Sequence, residues 1–570
     1  MLGRLMSAVT RSSRLGFGVL FGIVMFSWSS VAQYTDNFQT NAISVVSSNW
    51  TGDYYVGSNM VYDALQIFEN GVLTVAGDSL VGYYGGSENS LVISNGGGLF
   101  NGNGWVGSGA NNNSAIVTDS GSVWSNGSTF YIGNGSSGNT LEIKNGAKVF
   151  AIDSLIGDGV YEGAINPGSN NTVLVTDPGS IWSAGVFLLI GGFGDSGDSL
   201  VISNTGVVVS DNGYIGPNGD NSSVLVTGPG SVWSNTAWVI VGVNSFYNQL
   251  VIASGGMVLD DYGFVGNTND NNSVLVSGAG SAWSSSSSLS IGYGGSYNSL
   301  EISEGGMVSS GSGSIGATGS NNYVFVTGAG SVWSNGSTFY VGINQGGNSL
   351  VVSNGGLVSD GSALVGYGAS AASNNMVRLV DGGMWRNGVL YVGEGGSSNS
   401  LVISGGSVSA TNLVVGVASS TCNNVVDLNG GSLTVTNKGA GILEVRHGEL
   451  VLNGGVLQAD TLVITNSCAQ FIHTGGTLIV SNVVLDPNLF RVSSITRQGN
   501  DLMVTWMMGP GTTNALQATS GARDGGYSTS GFHDLCTVLN NTTLGTVATC
   551  FDFGAATNVP AKYYRARLVP

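Results

Sequence analysis

Basic residues are almost missing from this chain. Of 570 residues only 15 are Lys or Arg, against 33 Asp or Glu, and no Lys or Arg occurs between Lys148 and Arg378. Nucleic-acid binding depends on neutralising phosphates with such side chains, so that partner is excluded, and anionic polysaccharides are disfavoured for the same reason. Histidine is as scarce: His447, His473 and His533 stand far apart and carry no metal-ligand spacing. Helix-forming Lys, Glu, Gln and Arg are few, and charged residues make up only 8% of the chain. Disorder does not follow, because 42% of the residues are hydrophobic and evenly spread. The 94 glycines lack a strict three-residue period, which excludes collagen. Val, Leu, Ile, Ser, Asn and Gly remain, an alphabet of strands and turns.

Long apolar runs are confined to the start. Arg4, Arg11 and Arg14 precede the apolar stretch Leu15–Trp28, and Ser30-Val31-Ala32 is a small-residue cleavage site. Residues 1–32 therefore read as a signal peptide, and the apolar stretch is short for a spanning helix, which needs about 20 residues. Its removal takes the formal charge from −18 to −21. The mature chain is expected to be exported, without a transmembrane segment.

What is abundant is periodic. A glycine closes a short apolar run at Gly57, Gly82, Gly107, Gly133 and Gly157, then from Gly191 to Gly416, mostly at spacings of 24 to 26 residues. A fixed period of that size marks a solenoid whose repeats bury their apolar faces against one another. Each coil holds three short strand candidates in which apolar residues alternate with polar ones, as in Leu300-Glu301-Ile302-Ser303. The expected fold is all-β: a right-handed parallel β-helix. A β-propeller needs longer blades than these runs of three to five residues supply.

Two rows of side chains reinforce that reading. An Asn precedes the first strand of most coils, from Asn89, Asn113 and Asn139 to Asn424, with Asp198 and Ser222 in two gaps. Asn tolerates the left-handed backbone of a tight corner, and stacked amides can donate to one neighbour and accept from the other. A calcium role is the weaker reading, because such sites want several carboxylates. The second row is Trp124, Trp182, Trp233, Trp283, Trp333 and Trp385. An exposed row would offer an aromatic track for sugars. Aligning the coils instead sets Trp333 where Val308 stands, an inward position, and interior packing is expected.

The spacing from Gly157 to Gly191 is 34 residues, so about eight extra residues form a loop, with Tyr161 and Glu162 as its candidate ligand contacts. After Gly416 the coils change register and shorten, and from Asp486-Pro487 onward separate alternating strands suit a small antiparallel β-sandwich. The expected organisation is a signal peptide at 1–32, an N-terminal cap at 33–60, β-helix repeats at 61–485 and a C-terminal module at 488–570. Cys422 and Cys468 sit about two repeats apart, which at about 4.8 Å per layer exceeds disulfide reach. Cys536 and Cys550 are the better candidates for a bond.

Coils containing Gly330-Ser-Val-Trp-Ser334 and Phe339-Tyr-Val-Gly342, with Asn89-Ser-Leu-Val-Ile-Ser-Asn-Gly-Gly97, resemble the autotransporter/PEP-CTERM-associated repeat of bacterial exported proteins. The match runs from about Gly57 to Gly416. The resemblance implies a β-helical passenger segment that is extracellular or at the cell surface rather than periplasmic, with outer-membrane or secretion machinery as a partner. The C-terminal segment resembles a small fibronectin-type-III-like module. The chain shows no C-terminal set of about ten amphipathic barrel strands, and it ends at Arg567-Leu-Val-Pro570 without a hydrophobic sorting helix. A separate secretion route is the expectation.

Enzyme chemistry finds little support. Uronate lyases need a basic residue and cations near the substrate carboxylate, and the central rod has neither. Hydrolases need paired carboxylates, and the adjacent pair Asp260-Asp261 falls where neighbouring coils carry Ser-Asp or Ser-Ser, an expected solvated corner. Acid- and amide-rich corners such as Asn218-Gly-Asp-Asn221 lack the nonapeptide period of calcium-binding β-rolls. No catalytic, cofactor-binding or metal residue is assigned. The expected function is that of a non-catalytic structural or adhesive rod with extracellular polysaccharide or cell-surface components as partners. The alternative is a carbohydrate-binding or polysaccharide-degrading β-helix.

Overall fold

The structure, a computed structural model, describes residues 34–161, 164–165, 168–368, 370–418, 423–464, 469–485, 492–508, 513–522, 526–540, 546–557 and 561–569. The expected signal segment at 1–32, Glu162, Cys422 and Cys468 lie outside them. Every strand or helix assigned among the described residues is a strand, and no helix there is long and apolar enough to cross a membrane.

One 42-stranded parallel sheet winds from Thr40–Ser44 to Thr477–Leu485. It forms a β-solenoid with three faces, each built by stacking one strand of every coil. The first face runs through Thr40–Ser44, Ala64–Phe68 and Ser90–Ile93. The second runs through Ser47–Trp50, Val72–Val75 and Gly98–Asn101, and the third through Tyr54–Ser58, Ser79–Tyr83 and Gly104–Ser108. The segment expected as a cap thus contributes, through Thr40–Ser44, Ser47–Trp50 and Tyr54–Ser58, a coil of the rod itself. Pairing partners lie one repeat apart, as in Ser299↔Tyr323 and Tyr323↔Ser349. Alternation sends Leu300 and Ile302 inward and leaves Glu301 exposed.

From Ile181 onward the second and third strands of most coils fuse into one, as in Ile181–Ile190 and Val207–Pro217. The expected corner between them is a bulge, with the register shifting between Ser183 and Gly185. Ser and Gly at these bends let the chain turn without breaking its ladder.

The tryptophan row is interior, and all six rings are 0% exposed. Each pairs with smaller residues in the coils above and below: Val308 stacks on Trp333, and Trp333 on Val358. Glycines on the third face make the room, for a Cβ on Gly213 would stand 2.2 Å from the Trp233 ring. Large and small residues therefore alternate layer by layer, as close packing requires. Trp333→Ala should lower stability by about 3–5 kcal/mol, whereas Trp238→Ala, on a ring 44% exposed, should stay within about 0.5 kcal/mol. Denaturant titration of the two variants checks the difference.

The asparagine ladder is also present, with a correction. Asn298 donates from its backbone N–H and its Nδ2 to Asn322 Oδ1, at 2.9 and 3.2 Å. Asn322 does the same to Asn348, at 3.0 and 3.1 Å. The left-handed conformation belongs not to these residues but to the one before each, such as Tyr297, Asn321 and Asn374. The turn forms one position early, which leaves the ladder side chain free to point inward, 0% exposed. The ladder also begins earlier than the asparagines do, because Gln39 N–H donates to Asp63 Oδ1 and Asp63 N–H to Asn89 Oδ1. The recurrent glycine and the ladder residue form one device: a Cβ on Gly316 would stand 2.2 Å from the Asn348 amide.

Beyond the rod, two three-stranded antiparallel sheets face each other. One contains Val492–Gln498, Asp501–Met508 and Thr546–Asp552; the other contains Thr513–Ser520, His533–Leu539 and Lys562–Val569. Val504, Trp506 and Met508 pack between them with Leu516, Ala548 and Cys550. Cys536 and Cys550 form a disulfide that ties one sheet to the other. Met507 leaves this core and joins the hydrophobic cluster of the solenoid.

Candidate functional site

The third face carries a column of side chains that contradicts simple polar-out alternation. Two residues before each recurrent glycine, at an outward position, stand Tyr55, Leu80, Trp105, Tyr131 and Leu155, aligned by pairing in consecutive coils. Further along, the same column holds Tyr214, Ile240 and Phe264. A parallel column two residues earlier holds Phe187, Trp238 and Tyr262, which are 41, 44 and 38% exposed. The neighbouring corner adds Tyr247 and Tyr297. Aromatic rings thus line the outside of the rod as well as its core.

This surface deepens at its N-terminal end into a cleft of about 460 Å³. Tyr55, Leu80, Tyr83, Trp105 and Tyr131 supply apolar and aromatic wall, while Asp53, Asp78, Asp158, Ser108 and Asn134 supply the polar rim. Trp105 stacks on Tyr131 with ring centroids 3.9 Å apart and planes 9° from parallel. Since the two residues sit in successive layers, their rings lie across the rod axis. Tyr55 and Tyr83 meet at 5.2 Å with planes tilted by 47°.

The carboxylates are held in place by the same coils. Asp78 accepts from the Asn103 backbone N–H at 2.7 Å and from its Nδ2 at 3.0 Å, with Trp105 Nε1 at 3.4 Å. Asp53 accepts from the Asp78 N–H at 2.9 Å and the Tyr55 hydroxyl at 3.2 Å. Asp158 accepts from Asn134 Nδ2 at 3.1 Å. Burial, then the neighbouring Asp53 and Asp78, raise the Tyr55 phenol above its ordinary range. Burial also raises Tyr131, with Asp158, Asp153 and Asp78 adding to it. The rings therefore sit in a negative field.

Of the sequence-derived candidates, Tyr161 falls in the short strand Val160–Tyr161, paired antiparallel with Ala164–Ile165, so the insertion is a small hairpin. Its stem residue Asp158 lines the cleft, while Glu162 is outside the described residues. The Asp260-Asp261 corner is corrected: Asp260 is buried and accepts from Trp283 Nε1 at 2.5 Å, whereas Asp261 faces outward to Ser286 and Ser287. Consecutive strand residues point to opposite faces, so the pair cannot act together. Among the described residues, no three His, Cys, Asp or Glu side chains converge on a point that could hold a metal. The cleft residues Tyr55, Trp105 and Tyr131 were missed by sequence reasoning. Their signal was an aromatic two places before the recurrent glycine, where alternation asks for a polar residue.

No protein-family model matches the chain, and no curated protein matches it. Among solved structures it is similar to the crystal structure of a TibC-catalysed hyper-glycosylated TibA fragment, at 13% identity. The match covers 77% of this chain and 100% of that one with a TM-score of 0.25, a level of likeness on which no functional inference rests.

Proposed function

We propose that this protein is an exported, non-catalytic rod that adheres to polysaccharide through its third face. The observation that carries the reading is the outward aromatic surface, which extends over many coils and opens into the cleft at Trp105 and Tyr131. Half-exposed aromatic side chains gathered on one face suit an interaction site, and Tyr and Trp suit a partner that is apolar on one face and hydroxylated at its edges. The β-solenoid supplies rigidity, holding successive side chains at about 4.8 Å intervals, a fixed ruler for a repeating polymer. The signal peptide expected at 1–32 and the resemblance of the coils to autotransporter/PEP-CTERM-associated repeats support export to the cell surface by separate secretion machinery. The antiparallel C-terminal unit then serves as a fibronectin-type-III-like end module.

The test is retention of the purified mature chain on a panel of immobilised polysaccharides. Wild type should be retarded by at least one of them, and Trp105→Ala combined with Tyr131→Ala should weaken that binding more than tenfold. Equal passage of wild type and variant over the whole panel would leave only a structural role. Release of reducing ends from any bound polymer would overturn the non-catalytic part.

A further inference from the structure

The cleft spans successive coils of the third face. Tyr55, Leu80 and Trp105 occupy equivalent positions in three successive coils, so the two aromatic residues stand two layers apart, roughly 9.6 Å. Leu80 between them is only 6% exposed and forms a floor. The Trp105 ring lies across the rod axis, because it stacks on Tyr131 of the next layer.

Charge narrows the occupant further. Asp53, Asp78 and Asp158 line the cleft, and no Lys, Arg or His stands among its lining residues. A neutral sugar needs hydrogen-bond partners but not three negative charges. An acidic sugar would be repelled. Aromatic faces beside carboxylates favour a cation, which is attracted both by the rings and by the charges.

We propose that the cleft lined by Tyr55, Trp105 and Tyr131 binds an amine-bearing pyranose, a glucosamine unit of a de-N-acetylated glycan, with its ring against the aromatic wall and its ammonium against Asp53 and Asp78. This assignment rests on the polysaccharide-binding reading and adds to it the charge of the ligand.

The experiment compares three β-1,4-linked hexamers of equal length by calorimetric titration into the full mature chain: glucosamine, N-acetylglucosamine and glucose. The glucosamine hexamer should bind at least tenfold more tightly than the other two, and its affinity should fall steeply with added salt. Asp53→Asn combined with Asp158→Asn should remove that preference, bringing the glucosamine hexamer down to the affinity of the other two. Trp105→Ala should abolish binding of all three, and thermal melts establish that each variant is folded. Equal binding of the three hexamers, with no response to the Asp substitutions, would overturn the amine assignment and leave the polysaccharide reading standing. If none of the three binds while another polysaccharide is retained through Trp105 and Tyr131, the assignment also falls. If nothing binds at all, both fall.

Discussion

Gly316→Ala should destabilise the rod by on the order of 5 kcal/mol, a large effect for the addition of one methyl group. Gly316 has a φ of +70°, a conformation costing a non-glycine residue about 1–2 kcal/mol. The larger contribution is steric. The new Cβ would stand 2.2 Å from the Asn348 side-chain amide, which is itself fixed by hydrogen bonds to the coils on both sides. Asn348 Oδ1 accepts from the backbone N–H and the Nδ2 of Asn322, and Asn348 Nδ2 donates to Asn375 Oδ1 at 3.2 Å. Displacing that amide unpairs buried polar groups at about 1–3 kcal/mol each. Asn348→Ala should also be destabilising, because it removes the acceptor beneath Asn322. The double variant should be more stable than the sum of the two losses by about 2 kcal/mol, since truncating Asn348 clears the space that the alanine needs. Denaturant unfolding of the four proteins measures this coupling. Strict additivity, or a neutral Gly316→Ala, would mean that the glycine and the amide do not form one lock.

The second large effect is a loss of stability as pH rises. Burial pushes Asp195 up to about 8 and Asp198, Asp260 and Asp360 up to about 7. Their positions say why the proton stays. Asp198 takes a ladder position, where its Oδ1 accepts from Asn171 and its Oδ2 sits where an asparagine would carry a donor. Asp195 stands three residues before the ladder residue, where Ser136 and Ser245 donate to the carbonyls of Gly107 and Gly216. A carboxylate cannot donate, and a carboxylic acid can. Asp260 and Asp360 lie in the core, each accepting from a tryptophan Nε1.

Folded pKa values above the unfolded value mean that the folded chain holds protons which the unfolded chain releases. The stabilisation is complete below about pH 4 and is lost as pH rises through 7 to 8. One pKa unit corresponds to about 1.4 kcal/mol, so each group contributes on the order of a few kcal/mol. Exposed Asp261, Asp460 and Asp534 are shifted the opposite way by hydrogen bonds that favour their charged forms. Those contributions fade as pH falls toward the acid range, which places the optimum between about pH 4 and 6. Thermal melts from pH 5 to pH 9 should therefore show a falling Tm. Asp260→Asn with Asp360→Asn should flatten part of the slope without loss at pH 5, because Asn101 already accepts from Trp124 Nε1 at 2.7 Å in the same role. A flat or rising wild-type profile would refute the protonated state of these four groups.

The repeat was readable because the device that stacks coils is chemical and recurs in every turn. Glycine, ladder residue and alternating strand each leave a mark at fixed spacing, and register follows from them. The tryptophan row was readable by aligning Trp333 with Val308, which are true neighbours. The bend that fuses second and third strands was not, since Ser and Gly at a bulge look like Ser and Gly at a break. Asp260 was misread for a related reason: whether a corner residue faces in or out depends on where the bulge falls. The cleft was hidden most deeply. Tyr55, Trp105 and Asp158 lie far apart in sequence, and only stacking brings them to one place.

The ladder has a direction. At the asparagine positions of the ladder the backbone N–H donates to a side-chain oxygen supplied by the coil that follows. A rod cut from its front end exposes acceptor oxygens, which proteins leave unsatisfied more readily than donors. A rod cut from its rear exposes orphan N–H groups on a buried edge. The two ends of the ladder are thus chemically unequal, one presenting spare acceptors and the other spare donors.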